Sequence, residues 1–244
     1  MEMEFYIQLQ QKLKEIVKQN NLYDENIFIT TNTLTPEEAI GITERKDFPL
    51  LNGKEVLIEA NFLGSVGQAY TDSPTVFNGS IKKVLELDLS DNRNKVLFIA
   101  ALNAILKHLK FIENTIHCKD EEPEKCGKEV VKYIKDKFGN VKIGMIGFQP
   151  AIIDNLRREF SIRILDLDPR NIDKTKYDVL IEDGKNNMEE VVNWADILVV
   201  TGSTITNGTI VDFLKVKKPI LFYGTTIAGV AYLEGLSRIC FCSK

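Results

Sequence analysis

The sequence predicts an α/β protein, with an N-terminal α+β unit over residues 1–139 followed by a Rossmann-like parallel-sheet unit over residues 140–244. Three observations carry this. In the first half, strands come before a block of helices, the order of an α+β unit. Beyond Val141, short strands and helices alternate, the order of βαβ units. The strands there are apolar throughout, as in Ile197-Leu198-Val199-Val200, which marks a sheet covered on both faces.

The elements follow in order. Phe5, Ile7, Leu9, Leu13, Ile16 and Val17 recur at helical spacing within residues 3–20, and Asn20-Asn21 ends that helix. Asn26 to Thr33 is β-branched and reads as a strand. Thr35 caps a short helix over Pro36 to Glu44 with proline in its first turn, Asn52-Gly53 is a turn, and Glu55 to Phe62 is a second strand. Helices follow at about 80–89, 93–110 and 126–138, and Gly139 closes the last at the usual C-terminal position. The second unit has strands at 142–146, 161–166, 177–181, 196–201, 219–223 and 238–241. Its helices lie at 150–159, near 188–195, at 209–214 and near 228–235.

Composition narrows the function classes. The 244 residues are 44% hydrophobic and 27% charged, with 31 Lys+Arg against 35 Asp+Glu and a net charge of -4, so no basic footprint points to nucleic acid. Met1-Glu2-Met3-Glu4 lacks the basic start of a secretory signal, and a cytoplasmic location is expected. The longest apolar run, Val96 to Leu106, is interrupted by Asn103 and falls short of the roughly 20 residues of a membrane span, so it reads as a buried helix.

Ligands of an open parallel sheet bind beyond the carboxyl ends of its strands. There the first strand of the second unit leads into Gly147-Phe148-Gln149-Pro150, whose helix start favours an anionic or carbonyl-bearing ligand. The full dinucleotide fingerprint is absent. Asp166 and Asp168 end the next strand, where an acid holds a ribose hydroxyl in nucleotide sites. The richest segment follows the buried 196–201 strand: Thr201, Gly202, Ser203, Thr204, Asn207, Gly208 and Thr209 offer more polar groups than a connection requires. Asn207 or Thr209 is placed to cap the helix after it. Gly224 and Thr225 repeat the pattern one strand later. In the first half, Gly67, Gln68, Tyr70, Thr71 and Asp72 read as a polar loop after a strand, and Asn103 is placed to tie the buried helix to it.

Cys118, Cys126, Cys240 and Cys242, with the two histidines, are scattered without standard metal-site spacing, so no metal ligand is assigned and the thiols are expected free. Cys240 and Cys242 alternate on the last expected strand. No Ser-His-Asp arrangement or G-x-S-x-G elbow is present.

Together these motifs resemble the putative heavy-metal chelation domain proteins, a family of unknown function. The resemblance rests on Gly67-Gln68-Ala69-Tyr70-Thr71-Asp72, Gly147-Phe148-Gln149-Pro150, Asp168-Pro169-Arg170 and Ala195-Asp196 through Thr209. It implies an enolase N-terminal-like domain followed by a Rossmann-like domain, with the active site in the cleft between them. The resulting expectation is a protein that binds a small polar or anionic ligand, such as a metal-chelating metabolite or a metal chelate, in that cleft. One alternative is an enzyme using S-adenosylmethionine or a nucleotide, with Asp166 or Asp168 on the ribose. Another is direct metal binding through Cys118 and Cys126. No cofactor is assigned, the expected partner is a small molecule rather than nucleic acid or membrane, and assembly into a homo-oligomer is left open.

Overall fold

A computed structural model of the chain describes residues 2–30, 38, 40–52 and 56–244. The end of the first expected strand at 31–33, the Thr35-Pro36 helix start, Gly53 and Glu55 lie outside the described residues.

Helix α1 (Glu2–Gln19) buries Phe5, Tyr6, Leu9, Leu13 and Val17 along the stripe its sequence spacing dictates. Strands β1 (Asn26–Thr30), β2 (Val56–Phe62), β3 (Ser65–Thr71) and β4 (Phe77–Ser80) make an antiparallel sheet in the order β3-β2-β1-β4. The short helices α2 (Pro49–Asn52) and α3 (Ile81–Val84) flank it, and helix α4 (Asn92–His108) lies on its inner side. Asp91 caps α4 by accepting from the Arg93 N–H. From Lys95 to Ile105 every α4 residue is buried, as expected of a helix packed all round.

Helix α5 (Glu122–Phe138) leads into the second sheet. Its strands are β5 (Lys142–Ile146), β6 (Ser161–Asp166), β7 (Thr175–Lys176), β8 (Val179–Asp183), β9 (Ile197–Thr201), β10 (Ile220–Tyr223) and β11 (Arg238–Ile239). The order is β11-β10-β9-β5-β6-β8-β7, parallel except for β7, which pairs antiparallel with β8. Helices α6 (Pro150–Leu156), α7 (Met188–Trp194), α8 (Ile210–Phe213) and α9 (Ala228–Glu234) connect the strands. One face of this sheet, with Ile146, Leu165, Leu198, Val200 and Phe222, shares a core with α1, α4 and the first sheet. The other, with Ile143, Met145, Ile164, Val199 and Leu221, packs on Val130 and Ile134 of α5 and on α6. The all-apolar strands are explained by these two cores. This mixed α/β architecture, one sheet largely parallel, agrees with the predicted class.

Several local readings are corrected. Residues 65–71, read as a loop, form β3, an edge strand paired along its length with β2. The period is hidden because small Gly67 and Ala69 alternate with polar residues instead of branched ones. The helix expected over 80–89 spans only Ile81–Val84, and β4 precedes it. The expected 177–181 strand begins at Val179, after a β7–β8 hairpin. β11 ends at Ile239, so Cys240 and Cys242 do not alternate on a strand.

Glycines let α4 be gripped from both sides. A Cβ on Gly67 would stand 2.5 Å from the Ala100 carbonyl oxygen and closer still to the Ala104 nitrogen. On the opposite side, a Cβ on Gly229 of α9 would meet Leu102 Cγ and Asn103 Oδ1, each at 2.9 Å.

Candidate functional site

From β5 the chain winds outward to β6 and β8, then returns past β5 to lay down β9, β10 and β11. The switch point therefore lies between β5 and β9, where a parallel sheet leaves a crevice beyond its carboxyl ends. Gly147 and Thr201 meet there. Gly147 has φ 90°, and a Cβ on it would come within 2.8 Å of Thr201 Cγ2 and 2.9 Å of the Tyr223 hydroxyl. That hydroxyl donates to the carbonyls of Ile146 and Gly147 at 3.2 and 3.3 Å.

On the β6 side of β5, a recess of about 190 Å³ is lined by Phe148, Asp168, Arg170, Asn171 and Lys176, and by Asp47 and Pro49 from the first half of the chain. Pockets for drug-sized ligands run to about 300–1,000 Å³, so this recess is smaller than those. Lys176 Nζ stands 4.1 Å from the centre of the Phe148 ring and donates to Asn171 Oδ1 at 2.8 Å. The Arg170 guanidinium donates to Asp168 Oδ2 at 2.6 and 2.9 Å. Those hydrogen bonds, partly opposed by burial, hold the Asp168 carboxyl below the usual range, so it is ionised at neutral pH.

The wall from the first half is pinned by charge. Arg45 donates to Glu124 at 2.5 Å, to Asp154 at 3.2 Å and to the Tyr177 hydroxyl at 2.6 Å. Burial alone would lower the Arg45 guanidinium, but Glu124, Tyr177 and Asp154 outweigh it and raise it. Tyr177 donates in turn to Asp47 Oδ2, and its ring is stacked 6.5 Å from that of Phe148. Burial first, then Asp47, pushes the Tyr177 phenol well above its usual range, so it remains a donor at neutral pH. Tyr177 and Asp178 occupy the β7–β8 turn with φ 53° and 57°, the primed-turn conformation that matches strand twist. A tyrosine there costs about 1–3 kcal/mol, and its hydrogen bonds over-determine it.

The expected site residues divide into groups. Phe148 and Asp168 line the recess, while Gly147, the residue before Phe148, packs against Thr201. Pro150 opens α6, but Gln149 already accepts the Ile152 N–H at 2.7 Å and so caps part of that helix start. Beyond Thr201, the polar groups are used within their own turn. The 3-10 helix Gly202–Ile205 is capped by Thr201, which accepts from the Ser203 N–H; Thr204 donates to the Thr201 carbonyl at 2.8 Å; Asn207 accepts from the Thr209 N–H and hydroxyl. Thr209 itself makes no side-chain cap bond to α8. A Cβ on Gly202 would press on Ile227 at 3.0 Å, and Gly208 faces the Glu2 carboxylate.

A third group joins the two sheets. Asn103 Nδ2 donates to the carbonyls of Gln68, Thr225 and Thr226 at 3.0, 3.3 and 3.1 Å, and its Oδ1 accepts from Gly229 N–H at 2.7 Å. The Tyr70 N–H donates to the Thr226 hydroxyl at 3.1 Å, and the Gln68 side chain bridges Glu59 and the His117 N–H. Thr71 accepts from the Ser73 N–H and Asp72 from the Ser73 hydroxyl, both local turns. Among the described residues, nothing lies within 4 Å of a Cβ built on Gly224, whose φ is 100°, and the fully buried Thr225 hydroxyl has no hydrogen-bond partner.

Asp166 is spent on its own turn, accepting from the Leu167 and Asp168 N–H groups and from Asn171. Sequence reasoning missed Asp47, Pro49, Asn171 and Lys176 as site residues. Arg170 was within reach, standing in the Asp168-Pro169-Arg170 motif. Among the described residues, no group of three or more His, Cys, Asp or Glu side chains is disposed to hold a metal ion. Nor is any helix among them long and apolar enough to cross a membrane.

No curated protein matches the chain. Solved structures do, among them two of proteins of unknown function from the DUF364 family. One, from Pyrococcus horikoshii, is 15% identical with a TM-score of 0.50, covering 86% of this chain and 76% of its own. The other, from Desulfitobacterium hafniense DCB-2, is 12% identical with a TM-score of 0.50, covering 74% and 72%. At these identities they speak for the fold. The family model described as putative heavy-metal chelation matches residues 129–226, which hold β5 to β10 and both flanks of the switch point. Over residues 129–226 this chain is therefore similar to the DUF364, putative heavy-metal chelation, family.

Proposed function

We propose that the chain binds a small polar or anionic ligand, of the size of an oxoanion or a short polycarboxylate, in the recess where the first half of the chain meets the carboxyl ends of β5 and β6. The supporting observation is the recess itself, lined from both halves and carrying the Lys176 ammonium over an aromatic wall beside Arg170 and Asn171. Lys176 and Arg170 receive the acidic group of the ligand, Asn171 orients Lys176, and Phe148 contributes apolar area. Metal-chelating polycarboxylates belong to this ligand class, and a metal would enter with its own chelator as cargo.

Thermal-shift titration with inorganic phosphate, citrate and glutamate tests the reading. A ligand at a hundredfold excess over its Kd raises the melting temperature by about 5 °C or more for a chain of this size. Lys176→Ala removes a charge-assisted bond of about 1.5–3 kcal/mol, so the affinity falls roughly 10- to 100-fold with little change in the melting temperature of the free protein. No shift with any of the three, or equal shifts in the variant, contradicts the assignment. A shift with S-adenosylmethionine or ATP alone favours the nucleotide reading instead.

A further inference from the structure

Cysteines dispersed through the sequence come together at the C-terminal tail. After β11, residues 240–244 run back along α5 from Tyr133 toward Glu122. The Phe241 ring lies 5.7 Å from that of Tyr133, and Lys244 Nζ reaches Glu122 Oε1 at 3.0 Å. Residues 122, 126 and 133 fall on one face of α5 at helical spacing. A tail with Phe241 at Tyr133 and Lys244 at Glu122 therefore brings Cys242 to Cys126. On its other side, the backbones of Lys244 and Ile116 exchange hydrogen bonds of 2.7 and 2.9 Å, and the antiparallel direction carries Cys118 toward Cys242.

Electrostatics agrees with this register. Burial raises the Cys126 thiol to about 12, helped by Cys240 and opposed by the backbone N–H groups of Phe241 and Cys242, and burial likewise raises the Cys242 thiol, partly opposed by Cys126. Cys126 is buried and Cys242 half-buried, so a reagent from solvent meets Cys242 first. All four cysteines lie outside residues 129–226, so the cluster belongs to this chain and not to the matched domain. Two thiols brought side by side in this way can be joined by oxidation.

We propose that Cys126 and Cys242 form a reversible disulfide, with a peroxide as oxidant, that fastens the C-terminal tail to α5. The Cys242 sulfur attacks the peroxide O–O bond, takes one oxygen as a sulfenic acid and releases water. The Cys126 sulfur then attacks the Cys242 sulfur, the S–S bond forms, and the hydroxyl leaves with a proton as a second water. Two thiols supply the two electrons that reduce the peroxide. The clasp bears on the Gly224 turn as well, because Arg238 donates to the Gly224 carbonyl at 2.9 Å and to the Asn114 carbonyl at 2.6 Å.

Treating the reduced full chain with hydrogen peroxide, blocking free thiols with iodoacetamide and mapping peptides without reductant tests this. The expected result is a Cys126–Cys242 link, loss of two of the four free thiols, and a melting temperature roughly 5–10 °C higher that dithiothreitol reverses. Cys242→Ser, at a half-buried position, should keep the reduced protein's melting temperature and abolish the link, and Cys126→Ser should abolish it independently. Four alkylated thiols after peroxide, a sulfinic acid at Cys242 without a link, a link between other cysteines, or a stoichiometric metal released from the untreated protein would each overturn the proposal.

Discussion

Gly67→Ala is expected to destabilise the protein by about 3 kcal/mol or more, read as a lower urea midpoint with an unchanged m-value. The added methyl would meet the Ala100 carbonyl oxygen at 2.5 Å, the Asn103 carbonyl carbon at 2.8 Å and the Ala104 nitrogen. These are backbone atoms of the central helix and cannot swing aside as a side-chain tip would. The helix must move off β3, and with it the core shared by both sheets. A glycine serving only to bend a ligand loop would give the opposite pattern, weaker binding with the stability of the native chain. The double mutant Gly67→Ala/Gly229→Ala should cost more than either single change, because the two residues grip the helix from opposite sides.

Asn103→Leu should cost about 3–5 kcal/mol, although leucine is close in volume and apolar in an apolar run. The leucine cannot donate to the Gln68, Thr225 and Thr226 carbonyls or accept from the Gly229 N–H. Buried groups left unpaired cost about 1–3 kcal/mol each, less where relaxation finds other partners. Asn103→Asp separates the two halves of this network: it keeps an acceptor for Gly229 but presents a carboxylate to three carbonyls, and so should be at least as damaging as leucine. Chemical denaturation of the three proteins checks both statements.

Fold class could be read in the sequence because burial on two faces leaves an unambiguous mark, continuous apolar strands such as 197–200 separated by helices. β3 could not, since a strand pressed against a helix backbone uses Gly67 and Ala69, which carry no β signal. The polar wealth of residues 201–209 was visible, but its bookkeeping was not: Thr201, Thr204 and Asn207 bond within their own turn, as short polar side chains do whenever the backbone offers local partners. The recess drew on residues far apart in sequence. Asp47 is brought to Phe148 and Lys176 by the Arg45 ion pairs and by a strained Tyr177, and neither leaves a local pattern. The cysteines illustrate the same limit, since their convergence depends on the path of the tail after β11.

The most direct test of the ligand assignment is a crystal structure of the chain soaked in whichever anion gives the largest thermal shift. The account predicts density for the anion within hydrogen-bond reach of Lys176 Nζ and the Arg170 guanidinium, against Phe148. Density at the Gly202–Gly208 turn or beside Gly224, with none in the recess, would contradict it.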